Sequence, residues 1–593
     1  MIRRLVVAAL IAAVILLAAG GCVSLPRGGS VQAGPLQQQT NEEPPVVFTP
    51  DGPYPGESPA AIVRGFMSAM EATPVSTVVA RQFLTSESST TWVPEKATIV
   101  YRSQAPTVTK KGEVDVDLED VTELDNRGEW LGDPTRGKGL HYHFHLERQK
   151  GQWRISHPPD ALIVSRTHFE SLYQQYFLYY FDKTTQVLVP EPVYLPGGEQ
   201  VTTLLVQGLL RGPDQDLLGT ERTYIPSGTK LSDISVPVSH DGVADVPLSQ
   251  DILGLDDQHL TLAFAQLAWT LKQVSGVERM RITVDGSPLD LSSQGPDVPV
   301  DTWSEYDPAV EWATQALFGL RAGKVVIILD GHEHRVSGVF GALKLGVRSI
   351  GVDLSAQHIA AVTNDGTTVL SGDRNRIPGT LPTKHDVRTI YSGGTDVLRP
   401  SFDLYDTIWL VDRTSDGARV SVVHDGKLRA LDVPGISGTH VKRFVVSRDG
   451  TRLIAVVHGK HRDLVLESRI RRDHSGKVRG VLKAVRLPLR AQHVREIRDI
   501  AWRTPAAVAV LTGPSPGSSQ VLVLSVDGSE AGGDVATDAQ LFADHANRLV
   551  TSPLPGAPLY IGTKDGQLFS LAPNGRWTGA GIRAGLGSPT FVG

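Results

Sequence analysis

The sequence predicts a multidomain chain: two small α+β domains followed by an all-β propeller of about six blades. Three observations carry this. At 593 residues the chain is too long for one hydrophobic core and should divide. Up to residue 291, segments of helical and strand periodicity alternate. Beyond about residue 305 a strand–turn–strand unit recurs to the end. The 59 Gly and 38 Pro fit a turn-rich, β-rich whole. A net charge of −6 is small for this length and offers no basic field, so no nucleic-acid partner is expected.

The chain opens with Arg3 and Arg4, an apolar run Leu5 to Leu17, and the small residues Ala18, Ala19, Gly20 and Gly21. That layout is a secretory signal, too short and wrongly flanked for a comfortable membrane span. Cys22, the single cysteine, follows directly. The arrangement resembles the lipobox of bacterial lipoproteins, with Ala19 where that motif prefers Leu. The resemblance implies a signal peptide over 1–21 and a diacylglycerol and N-acyl chain on Cys22. An ordinary secretory signal or an uncleaved anchor are the alternatives. With Cys22 lipidated, no thiol is left for a disulfide, a thiolate metal site or a nucleophile. Residues 22–57 are rich in Pro, Gly and Gln and read as a tether. A flexible chain of this length spans roughly 30–35 Å.

The first domain is expected over 58–165. Ser58-Pro59 is an N-cap followed by proline at the first helical position. Ile62, Phe66 and Met70 then repeat at helical spacing. Strands are predicted at Ala97–Tyr101, Glu113–Leu118, Leu140–Leu146 and Trp153–Ser156. The second domain is expected over 166–291. Phe169, Leu172, Tyr173, Tyr176, Phe177 and Tyr180 keep helical spacing, although Tyr179 to Asp182 could equally begin a strand. Lys183-Thr184-Thr185 and Gln186–Val189 predict a hairpin. Helices follow at Val201 to Gly208 and at Leu260 to Val274, with strands at Val236, Val243–Val246 and Met280–Val284. Residues 292–304, with Ser292, Ser293, Gly295, Pro296 and Pro299, read as a linker.

Over 305–593, hairpins are marked by Asp365-Gly366, Asp425-Gly426 and Asp565-Gly566, since Asp-Gly favours the positive φ of tight turns. Val352–Val362, Phe402–Val411, Val446–Val457, Ile500–Leu511 and, more weakly, Leu541–Thr551 align as repeats. Their spacing is on the order of 40–55 residues, that of a four-stranded blade. Pro589-Thr590-Phe591-Val592 resembles the start of a blade (Pro400-Ser401-Phe402) and is expected to complete the first one. Five or seven blades, an open solenoid or two sandwiches are the alternatives.

Little points to chemistry. Gly513-Pro514-Ser515-Pro516-Gly517 has the letters of a nucleophile elbow, but Pro516 lacks the N–H an oxyanion hole needs. His141, His143 and His145 alternate on one strand face, about 6.8 Å apart. His141 and His143 are candidates to share a metal; a solvated polar face is the simpler reading. Asp115 and Asp117 alternate likewise in another strand and could pair across with them. His332 and His334 are weaker metal candidates. The aromatic series 169–181 reads as core before ligand platform. Arg469, Arg471, Arg472, Lys477 and Arg479 should form a solvated hairpin loop, or else touch anionic lipid or an acidic partner. No cofactor is expected, and no constellation of nucleophile, base or paired acids indicates an enzyme.

Two resemblances become specific. Pro192-Val193-Tyr194-Leu195-Pro196, Leu209-Leu210-Arg211-Gly212-Pro213, Ile225-Pro226-Ser227-Gly228-Thr229, Asp241 to Val246, Ala265 to Leu271 and Val277 to Gly286 look like a GerMN domain, with Pro247 interrupting a strand the family continues. The order of lipobox, tether, α+β domain, GerMN-like domain and propeller resembles the LpqB lipoproteins of actinobacteria. That resemblance implies a lipid-anchored protein on the extracytoplasmic face of the cell membrane. It would bind the extracytoplasmic part of an MtrB-like sensor kinase and modulate two-component signalling, influencing envelope homeostasis and division. A cell-wall or carbohydrate-binding envelope protein is the alternative.

Overall fold

The computed structural model describes residues 48–593, except 111, 136, 215–216, 292–294, 330, 375–380, 490–493, 516 and 530–540. Cys22 and the 22–47 part of the expected tether lie outside the described residues.

The first domain begins with helix Pro59–Ala69. Ser58 caps it, its Oγ accepting from Ala61 N at 3.3 Å. Its apolar face lies on a sheet ordered Ser103–Lys110, Glu113–Glu119, Leu140–Gln149, Gln152–Ile155. Alternation does the sorting: Val114, Val116, Leu118, Phe144 and Leu146 are buried beneath Phe66, and the intervening residues face water. A second sheet pairs Thr98–Tyr101 with Thr122–Leu124 and, in parallel, with Leu162–Ser165.

The helical reading of the aromatic series stops early. Helix Arg166–Leu172 ends where Tyr173 turns extended, and Tyr173–Asp182 is one long strand. It pairs antiparallel with Leu188–Pro196, Tyr173 opposite Pro196 and Phe181 opposite Leu188. Aromatic residues prefer this pleated setting, and the ladder pairs nine residues, Tyr173 to Phe181, with the neighbouring strand. Helices Val201–Leu210 and Asp257–Leu271 pack on the parallel pair Val243–Leu248 and Arg279–Val284.

Three local expectations change in this domain. Val236 is not in a strand: its N–H donates to Thr203 Oγ1 and its carbonyl accepts from Thr202 Oγ1, at 2.9 and 2.8 Å, so helix side chains replace a ladder. Pro247 does not interrupt its strand, which stays in register to Leu248 opposite Val284. The Pro247 carbonyl accepts from Ser232 on the outer edge, so the missing N–H faces away from the paired neighbour. The segment read as a linker enters the core: Val298 pairs with Met280 and is fully buried, and Trp269 Nε1 donates to the Trp303 carbonyl at 2.8 Å.

The rest is the propeller. Among the described residues its six sheets contribute innermost strands Gly587–Thr590, Val347–Val352, Ser401–Phe402, Val441–Val446, Ile497–Thr504 and Ala546–Val550. Three of the five repeats aligned in the sequence turn alike: Asp353 N bonds His358 O and Ser447 N bonds Arg452 O, while Asp403 N bonds Thr407 O one residue sooner. Each turn carries one left-handed residue, Ala356, Asp406 or Gly450, at φ 55, 53 and 70°. The C-terminal strand completes the first blade, Thr590 opposite Phe318 and Gly587 opposite Leu320. Leu317, Val326 and Phe591 then pack with Val550 and Leu568 of the last blade, which closes the ring.

Candidate interaction sites

The sequence-predicted candidates have structural partners. His143 Nδ1 meets Asp115, and His141 Nδ1 meets Asp117 Oδ1 at 2.7 Å, each across one rung of the sheet. The hydrogen bond that His141 donates to Asp117 raises the His141 pKa above its ordinary value, against a smaller effect of burial. Among the described residues no group of three or more His, Cys, Asp or Glu is arranged to hold a metal. His332 and His334 lie on an exposed outer strand. Ser515 sits in a turn, its Oγ 2.7 Å from Ser518 Oγ. The aromatic series is core: Tyr180 and Phe181 are fully buried, and Phe169 stacks on Tyr173 at 4.8 Å beside Trp130 and Tyr194.

The basic run forms the expected hairpin but is only partly solvated: Arg471, Lys477 and Arg479 are exposed, while Arg469 and Arg472 turn inward. Asp463–Arg472 and Val478–Val481 form a long hairpin whose arginines clamp the propeller to the GerMN-like domain. Arg469 Nη2 donates to Glu191 Oε2 at 2.7 Å and its Nη1 to Glu221 Oε1 at 2.8 Å. Arg452, fully buried, reaches Glu191 and the Pro190 carbonyl, and its Nε lies 3.3 Å from Glu467. Burial alone would raise the Glu191 carboxyl; Arg452 and Arg469 outweigh it and hold it down at about 2. Glu221 goes the other way, pushed well up by burial and then by the Glu191 charge. Beside this network Arg472 lies over the Tyr405 ring at 4.4 Å and pairs with Asp403. Tyr405 OH donates to Asp182 Oδ2 at 2.8 Å. Tyr194 OH donates to Ser529 Oγ at 2.6 Å.

The first and second domains join as closely. Tyr194 N donates to the Gly128 carbonyl at 2.7 Å, and a Cβ at Gly128, where φ is +87°, would stand 2.5 Å from Tyr194 O. Arg127 donates from Nη1 to Gly212 O at 3.1 Å. Beside this joint lies a cleft of about 590 Å³. Val75 to Val78 and Pro94 form one wall, and Gln200, Thr203, Leu204, Gln207 and Arg211 the other. At its lips Val78 is 68% and Ile234 90% exposed, a costly placement for two β-branched apolar side chains. The described chain enters beside it: Phe48 exchanges backbone hydrogen bonds with Thr73 at 3.1 and 2.9 Å. Spacing in the sequence could not have found the cleft, because its walls come from positions more than 100 residues apart.

Comparison with known proteins follows the same division. Residues 52–170 match the family described as Lipoprotein LpqB, N-terminal domain. Residues 177–290 match the Germane family, sporulation and spore germination, and 323–548 the Lipoprotein LpqB beta-propeller domain. A Lipoprotein LpqB of Thermobifida fusca is 26% identical over 94% of this chain and 94% of its own length. One from Cutibacterium acnes is 25% identical over 96% of each. Among solved structures, the first GerMN domain of the sporulation protein GerM from Bacillus subtilis covers 21% of this chain and 96% of its own, at 22% identity and a TM-score of 0.19.

Proposed function

Because this chain belongs to the LpqB lipoprotein family, we propose that it is a non-enzymatic, lipid-anchored protein of the extracytoplasmic membrane face that docks on a sensor-kinase ectodomain and modulates its signalling. The cleft between the first two domains carries this reading. It is walled by both domains, lipped by exposed Val78 and Ile234, and placed beside the point where an anchored chain enters the folded body. A partner embedded in the same membrane would meet it at high effective concentration. Lipidation of Cys22 supplies the two-signal anchoring that a stable attachment needs. No described helix is long and apolar enough to cross a membrane.

The test mixes purified full chain with the ectodomain of an MtrB-like kinase. Binding should fall at least tenfold in Val78→Asp and Ile234→Asp, with unfolding temperatures unchanged. No interaction and no effect on autophosphorylation by the intact protein would end this reading. Mass spectrometry of the mature N-terminus should find acylated Cys22; a free N-terminus further downstream would remove the anchor. A second reading, binding of a cell-wall polymer, is favoured by the amides and hydroxyls of the same cleft, Gln200, Thr203 and Gln207. Sedimentation with purified cell wall, abolished by Gln207→Ala, would support it instead.

A further inference from the structure

The innermost strands of the propeller share an irregularity. Register breaks between Val347 and Ser349, Val441 and Arg443, Ile497 and Asp499, and Ala546 and Arg548. All four breaks lie at the strand starts, on the loop face opposite the one that Arg452 and Tyr405 hold against the GerMN-like domain. A bulge at this place redirects the side chain that follows it. Three of the four redirected residues are charged: Arg443, Asp499 and Arg548. Arg443 Nε donates to Asp499 Oδ1 at 3.2 Å, and Asp499 Oδ2 accepts from Leu549 N at 2.9 Å in the next blade. Arg399, entering the third blade, reaches across to the Pro589 carbonyl at 3.4 Å. The charges whose fields act on Arg399 are those of Asp499, Arg548 and Arg443.

Three arginines and one carboxylate thus gather where the inner strands begin, at the mouth of the channel, and of the three only Arg443 bonds the carboxylate. Arg548 has no hydrogen-bond or ion-pair partner among the described residues. Behind the mouth lies a cavity of about 60 Å³, lined by Arg399, Phe444, Leu549 and Thr590. Its far end is closed by Arg448, which donates to Ala309 O, Ser552 Oγ and Val592 O. The space admits a few waters or one small oxyanion. A cluster of net charge +2 in a blind, partly desolvated channel calls for an anion of charge near −2. A phosphate monoester carries about −1.5 to −2 at neutral pH, and the planar guanidinium fork matches phosphate oxygens.

We propose that the mouth of the propeller channel is a binding site for a phosphate group, free or as the terminal monoester of a larger molecule, held by Arg399, Arg443 and Arg548. The site is separate from the docking cleft and stands whether or not a kinase binds there.

Calorimetric titration of the purified full chain tests it, with inorganic phosphate, glycerol phosphate, sulfate and acetate as probes. Saturable binding of inorganic phosphate is expected, weakened about tenfold or more by Arg548→Gln and by Arg399→Gln. Arg64→Gln, an exposed arginine on the first domain, should change nothing. Binding of glycerol phosphate at least as tight as of the free ion identifies a terminal monoester as the source; binding of the ion alone identifies free phosphate. Absence of saturable binding, equal binding of acetate, or unchanged affinity in Arg548→Gln would overturn the proposal. Arg548 is exposed, so its substitution leaves folding intact, and a thermal unfolding curve verifies this.

Discussion

Two carboxylates in the domain clamp should respond in opposite directions to loss of charge. Glu191 is held from 4.5 down to about 2 by Arg452 and Arg469 against the cost of its own burial. A depression of that size corresponds to about 3 kcal/mol of stability at neutral pH. Because the folded pKa is the lower one, this contribution is complete above pH 4.5 and drains away as the pH falls toward 2. Glu191→Gln keeps the shape but leaves Arg452, fully buried, with Glu467 as its remaining carboxylate. The expected loss is about 3–5 kcal/mol, the range for breaking a buried pair from one side. Glu221 has the raised pKa, so its contribution is present at low pH and is lost as pH rises through the folded value. Glu221→Gln resembles the protonated carboxyl and still offers an oxygen to Arg469. Because it removes the cost of protonating Glu221 on folding, it should be close to neutral at low pH and increasingly stabilising as the pH rises above 4.5. Hydrogen exchange of the Leu188–Pro196 and Arg452–His458 strands reads the local opening free energy directly. Equal protection in the two variants, or unchanged protection in Glu191→Gln, would refute the account of the clamp.

Three further predictions follow from burial and pairing. Phe66→Ala removes a fully buried ring from under the sheet of the first domain and should destabilise that domain by about 3–5 kcal/mol, seen by chemical denaturation. Val298→Asp places a carboxylate at a fully buried rung beside Met280, and the second domain should unfold at markedly lower denaturant; a freely exposed linker would tolerate it. His141, titrated by NMR, should have a pKa above 6.5 that drops in Asp117→Asn.

What the sequence shows of this protein is whatever is written locally. The cap at Ser58, the four-residue spacing of Ile62, Phe66 and Met70, and the Asp-Gly hairpins are decided by neighbours a few positions apart. The C-terminal strand was legible at a distance because it repeats a blade start. The clamp was not. Arg469 and Glu191 are 278 residues apart, and nothing near the basic run announces an acidic counterpart. Tyr173 to Phe177 have spacing compatible with a helix and identities that prefer a strand, and pairing with Leu188–Pro196 decides between them. Val298 was hidden by the Pro and Gly around it. The channel arginines fall one per blade, and the bulges that turn Arg443 and Arg548 leave no mark in composition.

Closure of the ring by Gly587–Thr590 against Leu317–Arg321 also sets an order in time. The first blade is the earliest part of the propeller to be made and the last to be finished. Its partner strand arrives about 270 residues later, so loop-closure entropy is borne before that contact forms. A chain crossing a membrane from its N-terminus would carry the Leu317–Arg321 edge unpaired until its final residues emerged. During that interval the open sheet is the segment most exposed to proteases and to mispairing with another copy.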